Sequence, residues 1–326
     1  MTLTKRIPLW IDCDPGQDDV IAITTGAYHP AFNLVGVSTV HGNVALEQTT
    51  LNALRFLTAI NRTDVPVFRG ARIPLTGGPL HCPEIHGITG LGGSGRLPKP
   101  GFNARDETEF FQSLENAIRE HAGELCIAAI GPLTNVAQFF AQYPESRRQI
   151  KYLAIMGGGF ERFNQNGCAE FNICCDPQAA RDVLTDPILS DKIVLAPLDM
   201  TSTVRASADK RARILGNPET TSNFRRLMFE LTDHFHQLLT KRHGPDYVGP
   251  SLHDPVAVAA LLHLHGVQDL GYKWSRDTLS VEVIGARAGA LEKTGTGTDS
   301  GVMILSSVDT DAFWDMLISV YDLVDR

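Results

Sequence analysis

Four carboxylates fall within eight residues in Asp12-Cys13-Asp14-Pro15-Gly16-Gln17-Asp18-Asp19. Placed side by side they repel one another unless protons or a cation offset the charge. The Asp14-Pro15-Gly16 turn and a helix opening at Asp18 bring Asp14 and Asp19 to one place, near the positive end of the helix dipole. Capping explains Asp18 or Asp19 alone; it does not explain Asp12 and Asp14 as well. Aspartate oxygens suit a hard cation, Ca²⁺ or Mg²⁺. Further ligands must come from other segments. His253-Asp254-Pro255 opens a helix, where Asp254 also reads as a cap, and His41-Gly42-Asn43 also reads as a turn. In Glu170-Phe171-Asn172, preceded by Asn164 and Asn166, an extended backbone would point Glu170 and Asn172 the same way. Such groups hydrogen-bond sugar hydroxyls well. His86-Gly87 and residues 90–95 lie in a long loop that could form a lid.

The elements that must hold these residues alternate. Apolar runs at 7–13, 34–40, 65–68, 124–130, 151–156 and 192–196 read as strands. Helical patterns follow at 18–28, 46–60, 132–142 (Pro132 at its first position) and 177–184. This rhythm predicts an α/β fold: an open, Rossmann-like mixed sheet, mostly parallel, with helices on both faces. Ligands then bind at the carboxyl ends of the strands. Residues 70–105 form a long Gly- and Pro-rich loop, and 223–243 a long helical stretch. After them come a helix at 252–264, strand-like runs at 279–284 and 302–305, and a helix at 311–323. No linker is evident, so residues 1–326 read as a single domain.

The chain has 326 residues, 43% of them hydrophobic, which supports a sizeable core. Its 29 Lys and Arg against 37 Asp and Glu give a net charge of −8. That balance argues against nucleic acid as a partner. No apolar stretch is long enough to cross a bilayer, and none of signal-peptide length precedes the first strand. The six cysteines show no CxxC pairing, so reduced thiols in a cytoplasmic protein are expected, with nuclear presence not distinguished.

Taken together, the motifs resemble those of the nucleoside hydrolases, the inosine–uridine-preferring nucleoside N-ribohydrolases. The resemblance rests on the 12–19 block and then, in order, Gly42-Asn43, Ile85-His86-Gly87-Ile88-Thr89-Gly90-Leu91-Gly92-Gly93, Gly131-Pro132-Leu133-Thr134-Asn135, Met156-Gly157-Gly158, Ala169-Glu170-Phe171-Asn172 and His253-Asp254-Pro255. Within the family, the opening from Trp10 to Leu34 is most similar to fungal uridine nucleosidases. The resemblance implies a Ca²⁺ held by Asp14, Asp19, Asp254 and the main-chain carbonyl of Ile130, with Asp14 as general base for a metal-bound water. It implies that Asp18, Asn43, Asn164, Glu170, Asn172 and Asp254 grip the ribose hydroxyls, with Met156 against the sugar. His253 would help the base leave, and His86 would lie close by. Gly167-Cys168 stands where many relatives have a proline, which leaves the choice between Asn164 and Asn166 less secure; spacing to Glu170 favours Asn164. The family implies a homodimer or homotetramer.

The implied reaction is hydrolysis of a ribonucleoside to base and ribose, as in nucleoside salvage. Its transition state carries positive charge on the sugar, and a cleft rich in carboxylates stabilises that charge more than the neutral substrate. Glu170 should repel a 5′-phosphate, so nucleosides are expected over nucleotides. Histidines at 86 and 253 favour uridine, with inosine or cytidine as further substrates. Base preference is expected to reside in segments 81–95 and 224–247, where Phe229, Phe235, His236 and Tyr247 are candidates to close over the base. Two rivals stand beside this reading. A haloacid-dehalogenase-like phosphohydrolase would use Asp12 as nucleophile but has no need of Asp18-Asp19. A non-catalytic nucleoside- or ribose-binding protein has no need of a general base.

Overall fold

A computed structural model describes residues 5–92, 94–295 and 300–325. Ten strands are described: β1 (Ile7–Cys13), β2 (Phe32–Thr39), β3 (Val67–Arg69), β4 (Cys126–Ala129), β5 (Tyr152–Met156), β6 (Ile193–Ala196), β7 (Lys273–Asp277), β8 (Leu279–Val281), β9 (Leu291–Lys293) and β10 (Val302–Ser307). Eight form one sheet in the order β3-β2-β1-β4-β5-β6-β10-β7. Every neighbouring pair is parallel except β10 with β7, which is antiparallel. The expected open, mostly parallel sheet is therefore present. β8 and β9 form a small antiparallel pair outside it.

The strands are apolar on both faces because helices cover both. Leu9, Ile11 and Cys13 of β1 pack with helices Gln17–Tyr28, Leu46–Ala59, Asp254–Leu264 and Thr310–Val324. Trp10 points the other way, with Ile127 of β4 and Leu153 of β5, against helices Glu107–Glu120, Thr134–Gln142 and Pro177–Leu184. Helix Asp254–Leu264 is buried over most of its length, which is why its sequence is apolar all round.

Several expectations are corrected. Residues 279–284 are not one strand: β8 ends at Val281, and the sheet edge is β7, whose Lys273-Trp274-Ser275 is exposed. An exposed edge carries no apolar run to announce it. Helix Glu107–Glu120 lies in a stretch to which no element was assigned, although Phe110, Leu114 and Ile118 mark its buried face at helical spacing. Among its described residues the long loop contains one helical turn, Pro83–His86. Glu170-Phe171-Asn172 is not extended: Glu170 caps helix Phe171–Cys175, its carboxylate accepting from the main-chain N–H groups of Asn172 and Ile173.

Candidate functional site

The carboxyl ends of β1, β4 and β5 open into a pocket of about 770 Å³, a size suited to a small-molecule ligand. Asp14 follows β1. Its Oδ2 accepts the Asn43 main-chain N–H at 2.7 Å. Two glycine backbones close around this carboxylate: a Cβ on Gly42 would fall 2.1 Å from Oδ2, and one on Gly131 would fall 2.6 Å from Oδ1. Asp19 stands in the first turn of helix Gln17–Tyr28. It accepts from the N–H of Gly16 at 2.8 Å and of Asp14 at 3.1 Å, so capping and site geometry share one side chain.

Asp254 is the first residue of its helix, held by Pro255, and His253 rather than Asp254 is the cap. The His253 N–H donates to Asp18 Oδ2 at 3.3 Å, joining residues 235 positions apart. Carboxylate oxygens of Asp18, Asp19 and Asp254 lie within 4.8 Å of one another, and all three residues are buried. Asp14 is not in that tight trio, but its charge reaches Asp19 and Asp254. Burial first, then mutual repulsion, pushes the carboxyls of Asp14, Asp19 and Asp254 up from the ordinary range. Among the described residues no Lys or Arg pairs with any of the four. Buried, unpaired carboxylates of this kind fit a hard divalent cation.

Asp12 parts company with them. It lies with Trp10 on the other side of β1, where its Oδ1 accepts from Ser38 Oγ and, at 2.7 Å, from Asn135 Nδ2. Burial pushes its carboxyl up to about 7. Alternation along a strand would put Asp12 and Asp14 on one face; β1 ends at Cys13, and the turn that follows carries Asp14 away from Asp12.

Apart from Asp19, which is not on its wall, the expected metal, sugar and base residues converge on the same pocket. Asp18, Asn43, His86, Ile130, Met156, Asn164, Glu170, Asn172, His253 and Asp254 all line it. Asn172 donates to the carbonyls of Ile130 at 3.0 Å and Met156 at 3.1 Å. Glu170 accepts from Gly158 N at 3.0 Å, yet burial still pushes its carboxyl up to about 7. The Asn43 side chain is engaged within the protein, donating to the Asp14 carbonyl at 3.1 Å and accepting from Cys82 Sγ. Asn166 turns away and donates to the Ala288 carbonyl, so Asn164 is the asparagine on the pocket wall.

Three histidines line the pocket: His86, His253 and His243, the last stacked on Tyr247. His253 Nδ1 meets Thr201 Oγ1 at 2.8 Å. His86 Nδ1 meets Gln17 Oε1 at 2.6 Å, and its ring stacks on Phe235 at 5.6 Å. Burial lowers the pKa of the His86 and His253 rings. Phe235 and Tyr247 line the pocket, whereas Phe229 packs against the core and His236 stacks behind Tyr247. The sequence reading passed over Gln17, Thr201, Cys82 and Arg205. Gln17 sits inside the acidic motif and Thr201 just beyond a strand end, so position alone could have flagged those two.

The model of the family described as "Inosine-uridine preferring nucleoside hydrolase" matches residues 9–315. A uridine nucleosidase of Saccharomyces cerevisiae is 36% identical over 338 aligned positions, covering 100% of this chain and 98% of the yeast protein. A pyrimidine-specific ribonucleoside hydrolase of Escherichia coli is 37% identical over 258 positions, 78% of this chain and 79% of its own length. Among solved structures, a purine-preferring ribonucleoside hydrolase from Gardnerella vaginalis superposes with a TM-score of 0.86 over 97% of this chain and 99% of its own, at 23% identity. A plant nucleoside hydrolase superposes at 0.83 over 98% and 99%, at 25% identity. The chain therefore belongs to the inosine–uridine preferring nucleoside hydrolases, enzymes that hydrolyse the N-glycosidic bond of ribonucleosides.

Proposed function

We propose that this protein hydrolyses uridine in preference to other ribonucleosides, to uracil and ribose, with one Ca²⁺ in the site. One observation carries the reading: buried carboxylates with no cationic partner among the described residues sit at strand ends in a pocket rimmed by histidines and an aromatic ring. Asp14, Asp19, Asp254 and the Ile130 carbonyl are the residues that would hold the ion. Bound there, it offsets the repulsion among the carboxylates and makes water more acidic.

The remaining work falls to the chain. Asp14, fixed by Asn43 and enclosed by Gly42 and Gly131, accepts the proton of the attacking water. Asp18, Asn43, Asn164, Glu170, Asn172 and Asp254 hold the ribose hydroxyls, and Met156 lies against the sugar. The carboxylates favour the positive charge that develops on the ring over the neutral ground state. His253, positioned by Thr201, and His86, positioned by Gln17, assist departure of the base. Residues 1–326 act as one domain in a cytoplasmic homodimer or homotetramer serving pyrimidine salvage.

A reducing-sugar assay over uridine, cytidine and inosine tests this. Wild-type protein should release ribose fastest from uridine, and Asp14→Ala should release ribose at least about a thousandfold more slowly. Equal activity in the variant would overturn the assignment.

A further inference from the structure

Arg205 enters the pocket beside His253 by a route invisible in sequence spacing. Residues 204–206 pair antiparallel with 250–252: Ala206 N donates to the Pro250 carbonyl at 2.8 Å, and Leu252 N to the Val204 carbonyl at 2.9 Å. Arg205 thus faces Ser251, two residues before His253, and lines the pocket with both. Its guanidinium lies over the Tyr247 ring at 5.8 Å, and Tyr247 in turn stacks on His243 at 5.2 Å. Nε donates to the Ser202 carbonyl at 3.3 Å. Among the described residues no carboxylate pairs with Arg205, although acidic side chains line the same pocket. A permanently charged, planar fork of N–H donors is therefore held in place with its terminal nitrogens unused.

The pocket accordingly offers both signs of charge, with Arg162 and Arg242 also on its wall. Carboxylates surround the place where a sugar would gain positive charge, and a guanidinium stands beside the histidine proposed to meet the base. Cleavage of the C1′–N bond sends the bonding pair to the base. In uracil that charge spreads from N1 onto two carbonyl oxygens, which accept N–H groups well. In hypoxanthine the leaving ring is relieved chiefly by a proton at a ring nitrogen, and a guanidinium cannot supply one.

Building on the hydrolase reading above, we propose that Arg205 is a specificity-determining residue that selects oxo-pyrimidine nucleosides by donating hydrogen bonds to the carbonyl oxygens of the departing base anion. Water oxygen bonds to C1′, its proton passes to Asp14, and the C1′–N1 pair leaves with uracil. The anion then takes up that proton, so nucleoside plus water gives ribose plus neutral uracil.

The test measures kcat/KM on uridine, 5-fluorouridine and inosine for wild type, Arg205→Leu and Arg205→Lys, with thermal unfolding of each. Arg205→Leu should lose about a hundredfold on uridine, in the range of a lost charge-stabilising donor, and less than about threefold on inosine. 5-Fluorouracil leaves more easily, so 5-fluorouridine should lose less than uridine. Arg205→Lys, which keeps the charge, should recover part of the loss and serves as the reporter if the leucine variant does not fold. Equal losses on uridine and inosine, or no loss on either, would overturn the inference alone. If wild-type protein releases ribose from none of the three, the hydrolase reading falls first and this inference with it.

Discussion

The side-chain amide of Asn172 donates to the main-chain carbonyl of Ile130 at 3.0 Å, tying the helix after the glycine run to the end of β4. The same amide donates to the Met156 carbonyl at 3.1 Å. One side chain thus fixes two strand ends on the pocket wall, one of them carrying the carbonyl proposed to meet the ion. Asn172→Ala leaves both carbonyls without this donor. Two neutral hydrogen bonds are worth roughly 1–3 kcal/mol, so kcat/KM on uridine should fall roughly tenfold to a hundredfold. Wild-type kinetics in this variant would remove Asn172 from the account.

The close approach at Gly42 gives a sharper expectation. A methyl group there would fall 2.1 Å from Asp14 Oδ2, so Gly42→Ala must displace the proposed base. Displacement by about 1 Å costs on the order of a hundredfold in rate. The variant should remain folded, as judged by circular dichroism, and lose activity to that extent. Retained activity would show that Asp14 does not need its present position.

A third expectation concerns the loop over the site. Glu230 accepts from Ser94 Oγ and from Arg96 Nε, each at 2.7 Å, latching residues 94–96 to helix Asn223–His243. His86, in the same loop, stacks on Phe235 of that helix. Exposed pairs of this kind are individually worth little, about 0–1 kcal/mol, so Glu230→Ala should barely change thermal stability. Its effect should appear in substrate capture: KM for uridine rising roughly threefold to tenfold with kcat nearly unchanged. A fall in kcat with KM constant would argue against a latch.

Stability against acid follows from a histidine far from the chemistry. The His29 Nδ1 accepts the Ala31 N–H at 3.2 Å and must be unprotonated to do so. Burial pushes its pKa from 6.5 down to about 4. Between those values the unfolded chain binds the proton that the native chain refuses. Its contribution is therefore intact above pH 6.5 and declines as the pH drops towards 4, at no more than about 1.4 kcal/mol per pH unit. Urea unfolding at pH 7.0, 5.5 and 4.5 should show wild type losing stability relative to His29→Asn, whose amide oxygen can still accept, as the pH falls; the buried carboxyls, raised by burial, act with the opposite sign in both proteins and cancel in that difference. Identical slopes would exclude His29 as a contributor.

The sheet was legible in the sequence because buried parallel strands must be apolar on both faces, and β1, β4, β5 and β6 are. Part of the pocket wall was legible because polar residues that follow strand ends face it, as Asp14 does after β1, while Ile130 and Met156, expected only from the resemblance, line it as well. What escaped did so for physical reasons. The edge strand β7 is exposed, so its Lys273-Trp274-Ser275 shows no buried periodicity. Glu170 and Asn172 reach the pocket from a helix cap and its first turn rather than from an extended segment, and only the three-dimensional path of the glycine run decides between those. Arg205 comes beside His253 through its pairing with Ser251, 46 residues further along, which no local pattern announces. Helix Glu107–Glu120, by contrast, carries its signal in the sequence: Phe110, Leu114 and Ile118 stand at helical spacing on its buried face.

Ribose release from uridine by the wild-type protein, followed through removal of divalent ions by a chelator and their replacement with Ca²⁺, bears most directly on the carboxylate cluster. Activity should vanish on chelation and return with Ca²⁺. Undiminished ribose release in excess chelator would contradict the account at its centre.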